Sequence, residues 1–136
     1  MSVTVYGRPQ GKGRPRYTVR GGRVMAYTPA STKAYEEKIR QAWMEQDGRC
    51  FGTLPLAPIL RAYYPTPSKA HKSEREAMLA GHVPVVGKVD LDNLLKAVMD
   101  SLQGVAYDND CQITYISATR AYSDNPRIEV DIIPIK

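Results

Sequence analysis

Polar and apolar positions alternate over residues 2–6 (SVTVY), which predicts a strand with one buried face. No period follows. Residues 7–22, GRPQGKGRPRYTVRGG, are turn formers and bases, which predicts a loop or a loose hairpin, with a short extended piece over 24–27. A helical spacing then takes over. Ala34, Ile39, Ala42 and Trp43 can share one buried side, bordered by Tyr35, in a helix running to about Gln46. Ser31 or Thr32 is the expected cap, and Glu36 and Glu37 fall in early turns where the helix dipole favours acids.

Residues 54–64 (LPLAPILRAYY) read as a second strand, expected near a sheet edge because Pro55 and Pro58 cannot donate ladder hydrogen bonds. Residues 65–67 break it. A polar helix is predicted over 68–80, ended by Gly81, and an extended apolar piece over 83–89. Leu91, Leu94, Leu95, Val98 and Leu102 then recur at helical spacing, and Gly104 stops that helix. After a turn at 107–110, residues 112–122 and 127–134 read as an antiparallel pair around 123–126, with Ile128, Val130 and Ile132 on the dry face. This order predicts an α/β (α+β) fold: one small domain over residues 1–136, a mixed β-sheet packed with helices.

Composition narrows the class. The chain has 136 residues, enough for one core, and no apolar run approaches the ~18–20 residues of a membrane span. The start does not read as a signal peptide, because Arg8 follows only a short strand-like segment. Cys50 and Cys111 are far apart and form no CxxC pair, so a reduced, cytoplasmic protein without disulfide or zinc is expected. His71 and His82 lack metal-ligand spacing and read as surface residues.

The net charge of +5 is unevenly placed. Arg8, Lys12, Arg14, Arg16, Arg20, Arg23 and Lys33 fall within residues 1–35, which hold no acid. A basic loop over 7–23 beside an acidic segment over 89–112 suggests a polyanion held by one part and worked on by another. Lys12, Arg14, Arg16 and Lys88 are the candidate phosphate contacts, and Tyr17 and Tyr27 could stack on bases.

The acidic segment, VDLDNLLKAVMDSLQGVAYDNDCQ, carries the candidate chemistry. If the chain stays extended at its start, Asp90 and Asp92 point to one face. Asp92, Lys96 and Asp100 fall at i, i+4 and i+8 on one side of the helix, and Asp108, Asn109 and Asp110 follow in the turn. Asp90 and Asp92 with Asp110 could make an open magnesium site, completed by water and substrate phosphate. Lys96 could neutralise a phosphate. The residues alone equally allow Asp92 as a helix cap, Lys96 in ordinary i,i+4 pairs and the later acids as turn formers.

The run DLDNLLKAVMDSL, QG and VAYDNDCQI resembles the signature of the RusA family of Holliday junction resolvases: D-x-D-N, a lysine four residues after the second Asp, D-x-L, and an acidic turn followed by Gln. The stretches PTPSKAHKSEREAMLAGHVPVVGKVD and GKGRPRYTVRGGRVMAYTPASTKAYEEKIR resemble its phage-type members, so the likeness covers nearly the whole chain. The resemblance implies a homodimeric, magnesium-dependent endonuclease, with manganese as a substitute, that resolves four-way DNA junctions by paired symmetric nicks in recombination and repair. It implies a bacterial or phage-infected cell as the setting. Asp90, Asp92 and Asp110 would be the metal-binding carboxylates and Lys96 the essential lysine. Asn109 stands where many members have an acid, and Val89 where a base or proline often precedes the first Asp; Lys88 could supply that charge. Two other readings are a non-catalytic DNA-binding protein and a metal-dependent nuclease of forks or flaps.

Overall fold

The computed structural model describes residues 2–13, 16–87 and 90–135. Its strands are β1 (Val3–Tyr6), β2 (Arg16–Arg20), β3 (Arg23–Tyr27), β4 (Leu56–Tyr64), β5 (Ser117–Tyr122) and β6 (Arg127–Pro134). Its helices are α1 (Ala30–Gln46), α2 (Lys72–Leu79) and α3 (Leu91–Leu102). Four strands form a mixed sheet in the order β1-β6-β4-β5, and β2 and β3 form a separate hairpin. The β4–β5 pair is parallel and the other two are antiparallel. This is the α+β class that the hydrophobic pattern predicts.

Period-two burial fixes which face of the sheet is covered. Leu56, Pro58, Leu60, Ala62 and Tyr64 of β4 point inward, level with Ile128, Val130 and Ile132 of β6 and Val3 and Val5 of β1. The expected helical stripes meet them. Tyr35, Ile39 and Trp43 of α1 and Leu94, Val98 and Leu102 of α3 join these strand residues in one core cluster. Trp43 is buried to 1% exposure, and its indole N–H donates to the Arg49 carbonyl at 3.0 Å, so its polar atom is satisfied.

Four sequence expectations change. The strand carrying Pro55 and Pro58 is interior, not near an edge. Proline is tolerated because Pro55 precedes β4 and the β5 ladder begins only at Ile59, beyond Pro58. The last two strands do not pair with each other: β5 and β6 flank β4 on opposite sides. β4 thus satisfies its backbone groups on both edges, in parallel with β5 and antiparallel with β6. The cap of α1 falls at Pro29 without a side-chain bond, and Thr32 Oγ1 instead accepts from the Gly13 N–H at 2.9 Å. The polar helix begins at Lys72 rather than 68, and ends as predicted at Gly81: the N–H groups of Gly81 and His82 close back on the Met78 and Ala77 carbonyls. Among the described residues, no helix is long and apolar enough to cross a membrane.

Candidate active site

Helix α3 sets out the site. Asp90 is its N-cap residue, and the helix begins at Leu91. Asp90 itself is not helical (φ −54°, ψ 133°), and the helix takes over at the next residue, so the extended run needed for the expected common face of Asp90 and Asp92 does not continue between them. Asp92, Lys96 and Asp100 keep their i, i+4, i+8 alignment. They line one cleft of about 470 Å³ with Asp110, walled by Leu95, Met99, Ile113 and Ile116. Asp90 is exposed and stands outside that lining.

The cap and surface-pair readings lose ground here. The cap position falls to Asp90, not Asp92, and Asp90 makes no side-chain cap hydrogen bond; Asp92 stands in the first turn of the helix. Among the described residues no ion pair joins Lys96 to Asp92 or Asp100; Asp100 pairs with Lys12 instead. That hydrogen bond, first among the causes, holds the Lys12 amine above the ordinary lysine range. Lys12 is further tied by its backbone: its N–H donates to the Asn93 carbonyl at 3.3 Å and its carbonyl accepts from Asn93 Nδ2 at 2.8 Å. The start of the basic loop is therefore fastened along α3. Arg16 is exposed at the base of the hairpin. Arg14 and Lys88 lie outside the described residues.

Asp110 reaches the cleft through a rigid turn. Asp110–Gln112 form one turn of 3₁₀ helix, capped by Asn109, whose side-chain oxygen accepts from the Cys111 N–H at 3.0 Å. Gln112 closes the box: its Oε1 accepts from the N–H groups of Asp108 (3.1 Å) and Asn109 (2.9 Å). Its Nε2 donates to the carbonyls of Gly52 (2.9 Å) and Leu54 (2.7 Å), pinning the turn to the segment before β4. Tyr107 ties the same segment to α3, its buried hydroxyl donating to the Met99 carbonyl at 2.5 Å. Burial pushes that hydroxyl well above the ordinary tyrosine range, and the charges of Asp100 and Asp110 push it further. Asp100, Tyr107 and Gln112 are the contributors absent from the sequence-based site list. The i+8 spacing already marked Asp100, and the family signature marked the Gln after the acidic turn; nothing local marked Tyr107.

Among the described residues, no three His, Cys, Asp or Glu side chains are close enough together to hold a metal ion. Of the carboxylates lining the cleft, Asp100 pairs with Lys12, and among the described residues Asp92 and Asp110 have no ion-pair partner. Two carboxylates with water and a substrate phosphate are the donor set magnesium commonly takes, so the chemistry of the pair fits that ion.

An α+β frame thus carries open carboxylates and a lysine on one cleft, with Lys12 of the basic loop bonded at its wall. The comparisons supply the family. The family described as Endodeoxyribonuclease RusA matches residues 6–133, and the chain belongs to that family. It is therefore an endodeoxyribonuclease, a hydrolase acting on DNA. It is also 31% identical over 134 residues to the uncharacterized protein YqaN of Bacillus subtilis (strain 168), covering 97% of this chain and 94% of that protein.

Proposed function

We propose that this protein resolves four-way DNA junctions by paired symmetric nicks, with magnesium held at the α3 cleft. The observation that carries the reading is the convergence of Asp92, Lys96 and Asp110, from a helix and a separate turn, on one open cleft. Asp92 and Asp110 would hold the ion, with Asp90 drawn in from the helix head. A magnesium ion bound there supplies an activated water and offsets charge on the phosphate. Lys96 donates from its ammonium to a non-bridging phosphate oxygen, where negative charge grows in the transition state. Lys12 and Asp100 hold the basic loop against the cleft wall. The apolar residues Leu95, Met99, Ile113 and Ile116 limit the water that competes for the phosphate.

The test is cleavage of a synthetic four-way junction in magnesium, with fork and linear duplex as comparison substrates. Asp92→Asn and Asp110→Asn should each lower cleavage on the order of 10²-fold or more while leaving junction affinity near wild type. Normal cleavage by either variant would remove the metal assignment. Equal cutting of fork and junction would favour the broader nuclease reading. Binding without any magnesium-dependent cutting would leave only a DNA-binding role.

A further inference from the structure

The β2–β3 hairpin has two unlike faces. Its register pairs Arg16 with Tyr27, Thr18 with Met25 and Arg20 with Arg23; between these it pairs Tyr17 with Ala26 and Val19 with Val24. Paired side chains share a side and successive ones alternate. One face is therefore Tyr17, Ala26, Val19 and Val24. The other sets Arg16, Arg20 and Arg23 beside Thr18, Met25 and Tyr27. Tyr17 and Tyr27, the two candidates for base stacking, stand on opposite faces. Every residue of both strands is exposed, with Val19 at 68% and Val24 at 70%.

We propose that this hairpin is a wedge for the branch point of DNA. Its apolar face lies against the base pair left open where strands part, and its arginine face grips the phosphates of the adjoining arm. The inference rests on the junction reading above. Charge chooses the occupant: residues 16–27 hold three arginines and no acid, which suits a polyanion and disfavours a second copy of a chain with net charge +5. Geometry chooses the branch. A continuous duplex engages one face of such a ribbon and leaves the other in water. A ribbon seated where two duplex arms diverge meets bases on one side and backbone on the other.

The shape suits insertion. Five-residue strands give an arm ~17 Å long. Its tip is Gly21–Gly22, both at positive φ (57° and 77°), as a tight hairpin turn requires, and it carries no side chains. The roots are anchored beside the cleft. Gly13 is bonded to Thr32 of α1, one residue after Lys12 meets α3, and Arg16 follows three positions after Gly13, a reach of at most ~11 Å. The first strand of the wedge therefore begins within that reach of a residue fixed to α1 and next in the chain to Lys12.

The experiment compares wild type with Val19→Thr/Val24→Thr, which removes apolar contact but keeps β-formers in both strands. Both are bound, in EDTA, to a junction with 2-aminopurine at the branch and to a linear duplex of equal length. The wild type should raise 2-aminopurine fluorescence on binding. The variant should lose that rise and bind the junction about tenfold more weakly, with duplex affinity unchanged. An unchanged fluorescence rise and junction affinity in the variant would overturn the wedge while leaving the junction reading standing. A wild type with no preference for junction over duplex would sink both. A variant that turns a dimer into a monomer in sedimentation would assign the face to a second copy instead, and overturn the wedge.

Discussion

Tyr107 shows how one buried polar side chain can set the geometry of a cleft. Its hydroxyl, fully enclosed, holds the Met99 carbonyl of α3, and its neighbours in the chain carry Asp110 to the same cleft as Asp92 and Lys96. Removing the hydroxyl leaves that buried carbonyl one partner short, so Tyr107→Phe should cost about 1–2 kcal/mol in chemical denaturation. The pH dependence has a definite sign. Burial first, then the charges of Asp100 and Asp110, raise the folded-state pKa above the ordinary 10.0, so Tyr107 binds its proton more tightly when folded. Its contribution is fully present below pH 10 and is lost as pH rises past it. Tyr35, pushed up to about 12 mainly by burial, and Tyr64 shift in the same direction. Wild type should therefore lose stability above about pH 10, and Tyr107→Phe should show a shallower loss. An identical slope would mean that the tyrosine ionises equally well in the folded state.

Elements α1 and α3 are joined through the loop that precedes the hairpin, and Gly13 is the tightest point of that junction. A Cβ at Gly13 would stand 2.6 Å from Thr32 Oγ1 and 3.1 Å from Pro29 Cγ, so a side chain there must push the loop away from α1. The displacement would also pull on Lys12, and with it on Asp100 at the cleft. Gly13→Ala should lower stability by about 1–3 kcal/mol and reduce junction cleavage more than Lys33→Ala, a neighbouring exposed change. Wild-type stability in Gly13→Ala would show that the loop is not packed as closely as this contact implies. The Asn109 position belongs to the same scale. Its side chain caps the 3₁₀ turn, a task an aspartate performs equally well. The departure from the family pattern therefore preserves the turn that carries Asp110.

At the scale of the molecule, Asp92, Lys96 and Asp110 converge on one cleft of one chain, while resolving a junction takes two cuts related by a two-fold axis. A C2 dimer of the 15.2 kDa chain meets that requirement. Sedimentation should show twice the monomer mass. Mixed dimers of wild type and Asp92→Asn should nick one strand of the pair and leave the other intact. Full resolution by such mixed dimers would show that the two cuts do not come one from each subunit.

Much of this protein was legible in its sequence. The stripe from Leu94 to Leu102 fixed α3, the alternation at Ile128, Val130 and Ile132 fixed β6, and the spacing Asp92, Lys96, Asp100 fixed one wall of the cleft, because side-chain direction within an element follows its period. The D-x-D-N and lysine spacing was enough to suggest the family. What lay between elements was not legible. Strand order depends on which faces find partners across the core, so the interior place of β4 and the separation of β5 from β6 could not be read from chain order. The helix start at Leu91, one residue after Asp90, undid the common face expected of the two acids. The sequence by itself determined most of the elements, their buried faces and the candidate residues of the cleft wall. Only the tertiary structure decided that Asp110 meets Asp92 and Lys96 across a pinned turn, that Lys12 is committed to Asp100, and that the basic loop is in part a two-faced ribbon, because each depends on contacts between residues distant in the chain or on cross-strand register.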